Sequence, residues 1–397
     1  MHLHPSRPLP SGPATGTIGR DAREKGLSKM SQTKVKVGII GGSGLGEAIC
    51  GEADGKSVAV TTPFGRPSAP IVETVWHGTP VALLNRHGLG HTIPPSMVPY
   101  RANIYALKAL GCTHIIASGA VGSLRDEIRP KDLVIPDQVI DKTYLRAPTF
   151  FDDGLAVHVE FASPFCPVLR GHLLSCAGGV DTTVHDGGTY VCMEGPAFST
   201  RAESHMHRQW GGDLIGMTCM PEARLAREAE IAYALVCLPS DYDCWKTRPE
   251  PCEPGAGTQP ALGKGTEAAS GKGIKAASGK GTSSAAGAGP RRGSAGTQAT
   301  SGAGPRRGSA AGPQAAPCNP DKHELLKEII SNLTEATKNA TSLISRAVAD
   351  FGRIADTPSP AHSALELAIW TNRGVIQEQT VRRLGVLVEK YLPLPPA

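Results

Sequence analysis

The stretch Ile231-Ala-Tyr-Ala-Leu-Val-Cys-Leu238 runs straight into Pro239-Ser240-Asp241-Tyr242-Asp243-Cys244-Trp245. The first eight residues carry no charge and read as a buried strand. Open α/β sheets hold their ligands at strand ends, which is where the two acids fall. Side chains alternate faces along a strand, so Asp241 and Asp243 are expected to project together. Neighbouring acids of like charge cost free energy unless one is protonated or both meet donors.

The pattern repeats on either side of this segment. Val35–Ile40 reads as a first strand ending in the turn Gly41-Gly42-Ser43-Gly44, and Val81–Leu84 as another running into Asn85-Arg86-His87-Gly88. Tyr100–Leu110 has helical spacing and stops at Gly111, a residue suited to a helix C-terminus. His114–Ser118 reads as a strand followed by the turn Gly119-Ala120-Val121-Gly122-Ser123. Short strands are expected at Leu133–Ile135, Gln138–Ile140 and Thr189–Met193, and Leu214-Ile215 leads into Gly216-Met217-Thr218. Pro221-Glu222 opens a helix expected to reach Ala232, with Pro where its missing N–H costs least. Further helices are expected over 321–351, 361–372 and 376–390. Strand-loop-helix alternation of this kind argues an α/β fold.

Two segments depart from that pattern. Residues 1–33 are rich in Pro, Gly, Ser and Arg without an apolar period and read as a disordered extension, with Met30 an alternative start. Residues 248–319 are almost entirely Gly, Ala, Ser, Pro, Lys and Arg, with the nine-residue unit Gly-Ala-Gly-Pro-Arg-Arg-Gly-Ser-Ala at both 287–295 and 302–310. Such a composition cannot bury a core and reads as a low-complexity disordered insertion. About 290 of the 397 residues remain, in 34–247 and 320–393, ample for a single domain. The net charge of +5 owes much to the insertion, so no case for nucleic acid follows. No apolar run approaches the roughly 20 residues needed to span a bilayer. The ten cysteines form no C-x-x-C pair and read as reduced core thiols in a cytoplasmic protein.

The glycines at 41, 42, 44 and 46 suggest a dinucleotide fingerprint, but Glu47 stands where the third glycine of G-x-G-x-x-G belongs. That argues against a nicotinamide-dependent oxidoreductase. Glycine turns after strands still present backbone N–H groups to an anion. Arg86 offers a guanidinium fork and His87 a second donor. Ser43, the amides of Gly119-Ala120 and Thr218 are small donors, each behind its own strand. Together they could surround one tetrahedral anion. For the acids, a ligand with an N–H donor beside a basic ring nitrogen would satisfy both, as the N6–N7 edge of a 6-aminopurine does. Histidines 77, 114, 205 and 207 read as structural, and Phe150, Phe151, Trp210 and Tyr233 as core.

Read together, the segments Gly38–Leu45, Thr62-Pro63-Phe64-Gly65, Arg86-His87-Gly88 with His91, Gly122–Arg125, Pro164–Pro167, Glu194-Gly195-Pro196 with Phe198–Glu203, Met217-Thr218 and Asp241–Trp245 resemble the S-methyl-5'-thioadenosine phosphorylases of the purine nucleoside phosphorylase superfamily. The resemblance spans 34–247 and, more loosely, 321–392. It implies a three-layer α/β/α fold with a mixed, strongly twisted central sheet. It implies phosphorolysis of S-methyl-5'-thioadenosine to adenine and 5-methylthioribose 1-phosphate. Phosphate would be a co-substrate, with no cofactor and no metal.

The resemblance places phosphate at Ser43 (often Thr in the family), Arg86, His87, Gly119, Ala120 and Thr218. It places Met217 under the ribose, Phe198 near the base, and Asp241, Tyr242 and Asp243 around the purine, with Asp241 catalytic. Ser199 holds a position linked to 6-amino preference. His158 resembles the histidine that a neighbouring subunit lends to the methylthio pocket of a homotrimer. Gly119 and Gly216 replace larger polar residues of animal members and are expected to loosen the phosphate loop. The insertion replaces the pocket-gating loop. The rival readings are a phosphorylase of methylthioinosine or other 6-oxopurine nucleosides, and an inactive nucleoside-binding protein.

Overall fold

In the computed structural model of the chain, the described residues are 35–42, 55–246 and 322–394. The expected extension, the insertion and Ser43 lie outside them. In chain order the described strands are β1 (Val37–Gly41), β2 (Lys56–Val58), β3 (Ile71–Trp76), β4 (Thr79–Asn85), β5 (His114–Ser123), β6 (Leu133–Ile135), β7 (Gln138–Lys142), β8 (Val184–Asp186), β9 (Thr189–Met193), β10 (Leu214–Gly216) and β11 (Ala232–Asp241). The α-helices are α1 (Tyr100–Ala109), α2 (Pro167–Ser175), α3 (Arg201–Gln209), α4 (Cys219–Glu228), α5 (Lys322–Ala349) and α6 (Glu378–Leu384).

β11 organises the molecule, because both of its faces are apolar and each feeds a separate core. Tyr233, Leu235 and Cys237 pack with Ile115 and Ala117 of β5, Ile104 and Leu107 of α1, and Ala223 and Ala226 of α4. Ala232, Ala234, Val236 and Leu238 pack with Leu169 and Leu173 of α2 and with Ala336, Ala340, Leu343 and Ile344 of α5. The two-residue period of a strand thus puts helices on both sides of the sheet, giving three α/β/α layers. The sheet is mixed. β4, β1, β5 and β11 run parallel, β10 lies antiparallel to β5, and β2, β3 and β4 form an antiparallel edge.

Several expectations change here. Residues 119–123 are the second half of β5 rather than a turn, because both β11 and β10 pair with them. Gly122 permits that crowding, since a Cβ there would stand 3.0 Å from Ile215 Cγ2 and 3.2 Å from Asp243 Cβ. The helix opened by Pro221 stops at Glu228, and Glu230 takes a left-handed φ of 55° before β11 begins. No α-helix forms over 361–372. It forms a 3-10 helix over Pro360–Ser363 and tight turns such as Glu366 N–H to the Ser363 carbonyl, and it also pairs outward: His158 N–H donates to the Ala368 carbonyl, Trp370 N–H to the Ala156 carbonyl, and Leu365 N–H to Glu230 Oε1. Tight turns and tertiary partners together replace the α-helical bonds. The helix expected over 376–390 is limited to α6 and a single 3-10 turn, with Gly385 at φ 48° between them. Trp210 is half exposed under Lys142 rather than core.

Because β1, β4, β5 and β11 are parallel, they end on one edge of the sheet. β10 returns antiparallel along β5, so the chain leaving it at Met217-Thr218 arrives beside Gly119. A Cβ on Gly119 would stand only 2.7 Å from Thr218 Oγ1.

Candidate active site

At that edge lies a cavity of about 440 Å³, a volume suited to a small-molecule ligand. Arg86, His87, Gly119, Ala120 and Thr218 line it, and so do Met217, Phe198, Ser199, Asp241 and Asp243. Residues from five separated segments therefore converge. Tyr242 and His158 do not line it. Tyr242 turns away, its hydroxyl reaching the Asp126 carbonyl at 3.5 Å and its ring meeting Trp245 edge-on. His158 packs against Trp370, 4.6 Å between ring centroids.

Arg86 follows the last residue of β4 and is fully buried. Its fork is not open to an anion as the sequence suggests. Nε and Nη2 donate to the two carboxylate oxygens of Glu222 at 2.8 Å each, and Nη1 donates to the Ser118 carbonyl at 2.8 Å. Tyr233 adds a hydroxyl to Glu222 Oε1 at 2.8 Å. The bidentate pair fixes the plane of the guanidinium. Only its remaining Nη hydrogens are left for the cavity. Glu222 is a residue the sequence reading used only as a helix start.

His87 also differs from expectation. Its Nδ1 lies 2.9 Å from the Ile93 carbonyl, which can only accept, so Nδ1 carries the proton. Burial first, and the Arg86 cation second, push its pKa down to about 4. Near neutral pH its Nε2 is therefore a lone-pair acceptor, suited to a protonated oxygen of an anion rather than to a bare one. His91 stacks on it at 4.3 Å.

The acids meet by a different route from strand alternation. β11 ends at Asp241, and Asp243 sits in a turn with φ 50°. Its own N–H donates to Asp241 Oδ1 at 2.7 Å, and Ser240 Oγ donates to Oδ2 at 2.7 Å. Burial raises the pKa of Asp241, and the charge of Asp243 adds to this, against those two hydrogen bonds. Asp241 thus holds a proton more readily than an ordinary carboxyl.

Met217 packs over Gly195, where a Cβ would lie 2.5 Å from its sulfur. The buried Arg146 ties this wall together: it donates to the Met217 carbonyl at 2.7 Å, the Glu194 carbonyl at 2.7 Å and Glu194 Oε1 at 2.9 Å. Ser199 is braced by Cys244, whose thiol reaches its carbonyl at 3.3 Å. Phe198 stands at the mouth, 86% exposed. Opposite, α5 contributes Ile329 and Leu333 to the lining, and Asn332 Nδ2 secures that helix to the Ser240 carbonyl at 3.0 Å. Glu222, Arg146 and the α5 pair went unpredicted because nothing local marks them.

The room that glycine leaves at 216 is occupied. A Cβ on Gly216 would stand 2.0 Å from the Tyr190 hydroxyl, so that ring fills the space a larger residue would take.

The profile of the phosphorylase superfamily matches residues 36–256, more than half of the 397-residue chain, and the chain belongs to that superfamily. Within it, the chain is 53% identical over 215 residues to the S-methyl-5'-thioadenosine phosphorylase of Thermosynechococcus vestitus, a match covering 53% of this chain and 73% of that protein. The namesake enzyme of Geobacter sulfurreducens is 54% identical over 210 residues, with the same two coverages. Among solved structures, a methylthioadenosine phosphorylase from an antarctic soil metagenomic library superposes with a TM-score of 0.65 at 38% identity, covering 89% of this chain and 99% of that one.

Proposed function

We propose that this chain catalyses the reversible phosphorolysis of S-methyl-5'-thioadenosine, giving adenine and 5-methylthioribose 1-phosphate. The observation that carries the reading is the meeting, in one cavity, of Arg86, His87, Gly119, Ala120 and Thr218 with the acid pair Asp241 and Asp243. The names of its relatives support the same substrate.

Cleavage of the N9–C1' bond leaves positive charge on the sugar and negative charge on the purine. In this reading Asp241, whose pKa burial raises, donates a proton toward N7 as charge develops there. Asp243 accepts from the 6-amino group. Phosphate sits beneath C1', held by the free Nη hydrogens of Arg86, the Gly119-Ala120 backbone and the Thr218 hydroxyl. Ser43, outside the described residues, is assigned to the same anion. His87 Nε2 takes the hydrogen of monohydrogen phosphate. The phosphate charge stabilises the oxocarbenium-like sugar, and a phosphate oxygen then forms the new bond to C1'. Met217 lies under the ribose, with Phe198 and Ser199 beside the base. The apolar Ile329 and Leu333 favour a methylthio group over a hydroxyl, which would lose its water there. Orthophosphate is the only co-reactant needed, with no cofactor or metal.

The working form in this reading is a homotrimer in which His158 serves a neighbouring copy. Its support is that His158 misses its own cavity and packs against the exposed Trp370. Sedimentation equilibrium at a monomer mass would end that part. A cytoplasmic setting is supported by the described cysteines, all of them free thiols. Among the described residues no helix is long and apolar enough to cross a membrane. Adenine release from methylthioadenosine is expected to require added phosphate. Release without phosphate, or none at any phosphate concentration, would remove the reading.

A further inference from the structure

Thr218 closes the anion side of the cavity, and the way it is held is unusual. Two glycines flank it: Gly119 faces its Oγ1, and Gly216 opens the room that Tyr190 enters. Tyr190 belongs to β9, the neighbour of β10, and is fully buried. Its hydroxyl lies 3.3 Å from Thr218 Oγ1 and 3.3 Å from Thr218 N.

The donor directions follow from chemistry. The Thr218 N–H can only donate, so the Tyr190 oxygen accepts it. Among the described residues Thr218 Oγ1 is the one acceptor within reach of the Tyr190 hydroxyl, so the Tyr190 hydrogen goes there. An Oγ1 that accepts from Tyr190 is left with its own hydrogen turned away from it, toward the cavity Thr218 lines. Burial raises the Tyr190 pKa well above the usual phenol range, so it keeps the hydrogen this arrangement needs.

We propose that Tyr190 is a positioning residue which fixes the Thr218 hydroxyl as a hydrogen-bond donor to the bound oxyanion, in the space left by Gly216. The inference rests on the phosphorolysis reading, and steady-state kinetics separate the two. Wild type must first show adenine release that depends on phosphate; if it does not, the reading fails rather than the role of Tyr190. Given that dependence, Tyr190→Phe keeps the ring and removes both hydrogen bonds to Thr218, the one to Oγ1 being the one that turns its hydrogen toward the anion. It is expected to raise KM for phosphate about fivefold, with KM for methylthioadenosine changed less than about twofold. In a Thr218→Val background the same substitution is expected to have no further effect on phosphate KM, because the two act as one unit. Unchanged phosphate KM in Tyr190→Phe would overturn the proposal. So would an equal rise for both substrates, as mere loosening of the wall would give, or an undiminished effect in the Thr218→Val background. Should Tyr190→Phe fail to fold, Gly216→Ala displaces the hydroxyl from the other side, and the same outcomes decide.

Discussion

Asp243 adopts a left-handed backbone, φ 50°, that few side chains accept, and its N–H is given to Asp241. Asparagine tolerates the same backbone, so Asp243→Asn changes the chemistry of the contact with little change of shape. Its amide can donate to a 6-oxo group, which a carboxylate repels. The ratio of kcat/KM for adenosine-type over inosine-type nucleosides is expected to fall by about tenfold or more, the scale of one mismatched polar contact. An unchanged ratio would detach Asp243 from base choice. Asp241 makes a second prediction. An acid that must carry its proton works below its pKa, and burial has raised that pKa. The kcat/KM profile is therefore expected to decline on its alkaline side at a pH above the ordinary carboxylate range. Asp241→Asn is expected to lose roughly 100-fold or more in kcat and to abolish that limb. Pre-steady-state adenine release across pH checks both.

At the scale of elements, the end of β4 is joined to α4 by a buried ion pair. Arg86 and Glu222 are 0% and 1% exposed and 2.8 Å apart. Removing one partner of such a pair strands the other charge away from water. Glu222→Ala is expected to cost about 3 to 5 kcal/mol of stability and to raise KM for phosphate, because Arg86 loses the carboxylate that sets its plane. Chemical denaturation together with phosphate kinetics tests this; a stability loss under about 1 kcal/mol would mean that water reaches the pair. The strand-loop-helix order was legible locally: β1, β4, β9 and α1 fall within a few residues of the expected spans. The second half of β5 was not, since Gly119 and Gly122 look like turn residues until β11 pairs with both and β10 with Gly122. The 361–372 segment has helix-like apolar spacing, yet its N–H and C=O groups find partners on 156–158.

For the whole molecule, the buried His114 bears on stability in acid. His114 at the base of β5 meets His362 at 5.1 Å and, like His172, packs edge-on to Phe351. Burial pushes His114 down to about 4 from its usual 6.5. A histidine depressed in the folded state leaves the unfolded chain to bind the proton first, so its stabilising contribution is full above pH 6.5 and is lost as pH falls toward 4. Glu228, pushed up to about 7 by burial, acts with opposite sign over part of that range, so the informative quantity is a difference. Melting temperature measured from pH 7 to 4 is expected to fall less steeply in His114→Gln than in wild type; parallel curves would clear His114 of that role. The sequence by itself determined the alternating α/β order and the polar ends of strands that meet at the site, Arg86, His87, Thr218, Asp241 and Asp243 among them, because buried strands and the acids, glycines and cations at their ends are written in local composition. Only the tertiary structure decided how those residues are used. Glu222 occupies the fork of Arg86, the Ile93 carbonyl accepts from His87 Nδ1, Tyr190 stands in the room left by Gly216, and Asp241 meets Asp243 through a turn. Each is a contact between residues distant in the chain or a backbone angle fixed by packing, and neither leaves a mark on the local pattern of residue types.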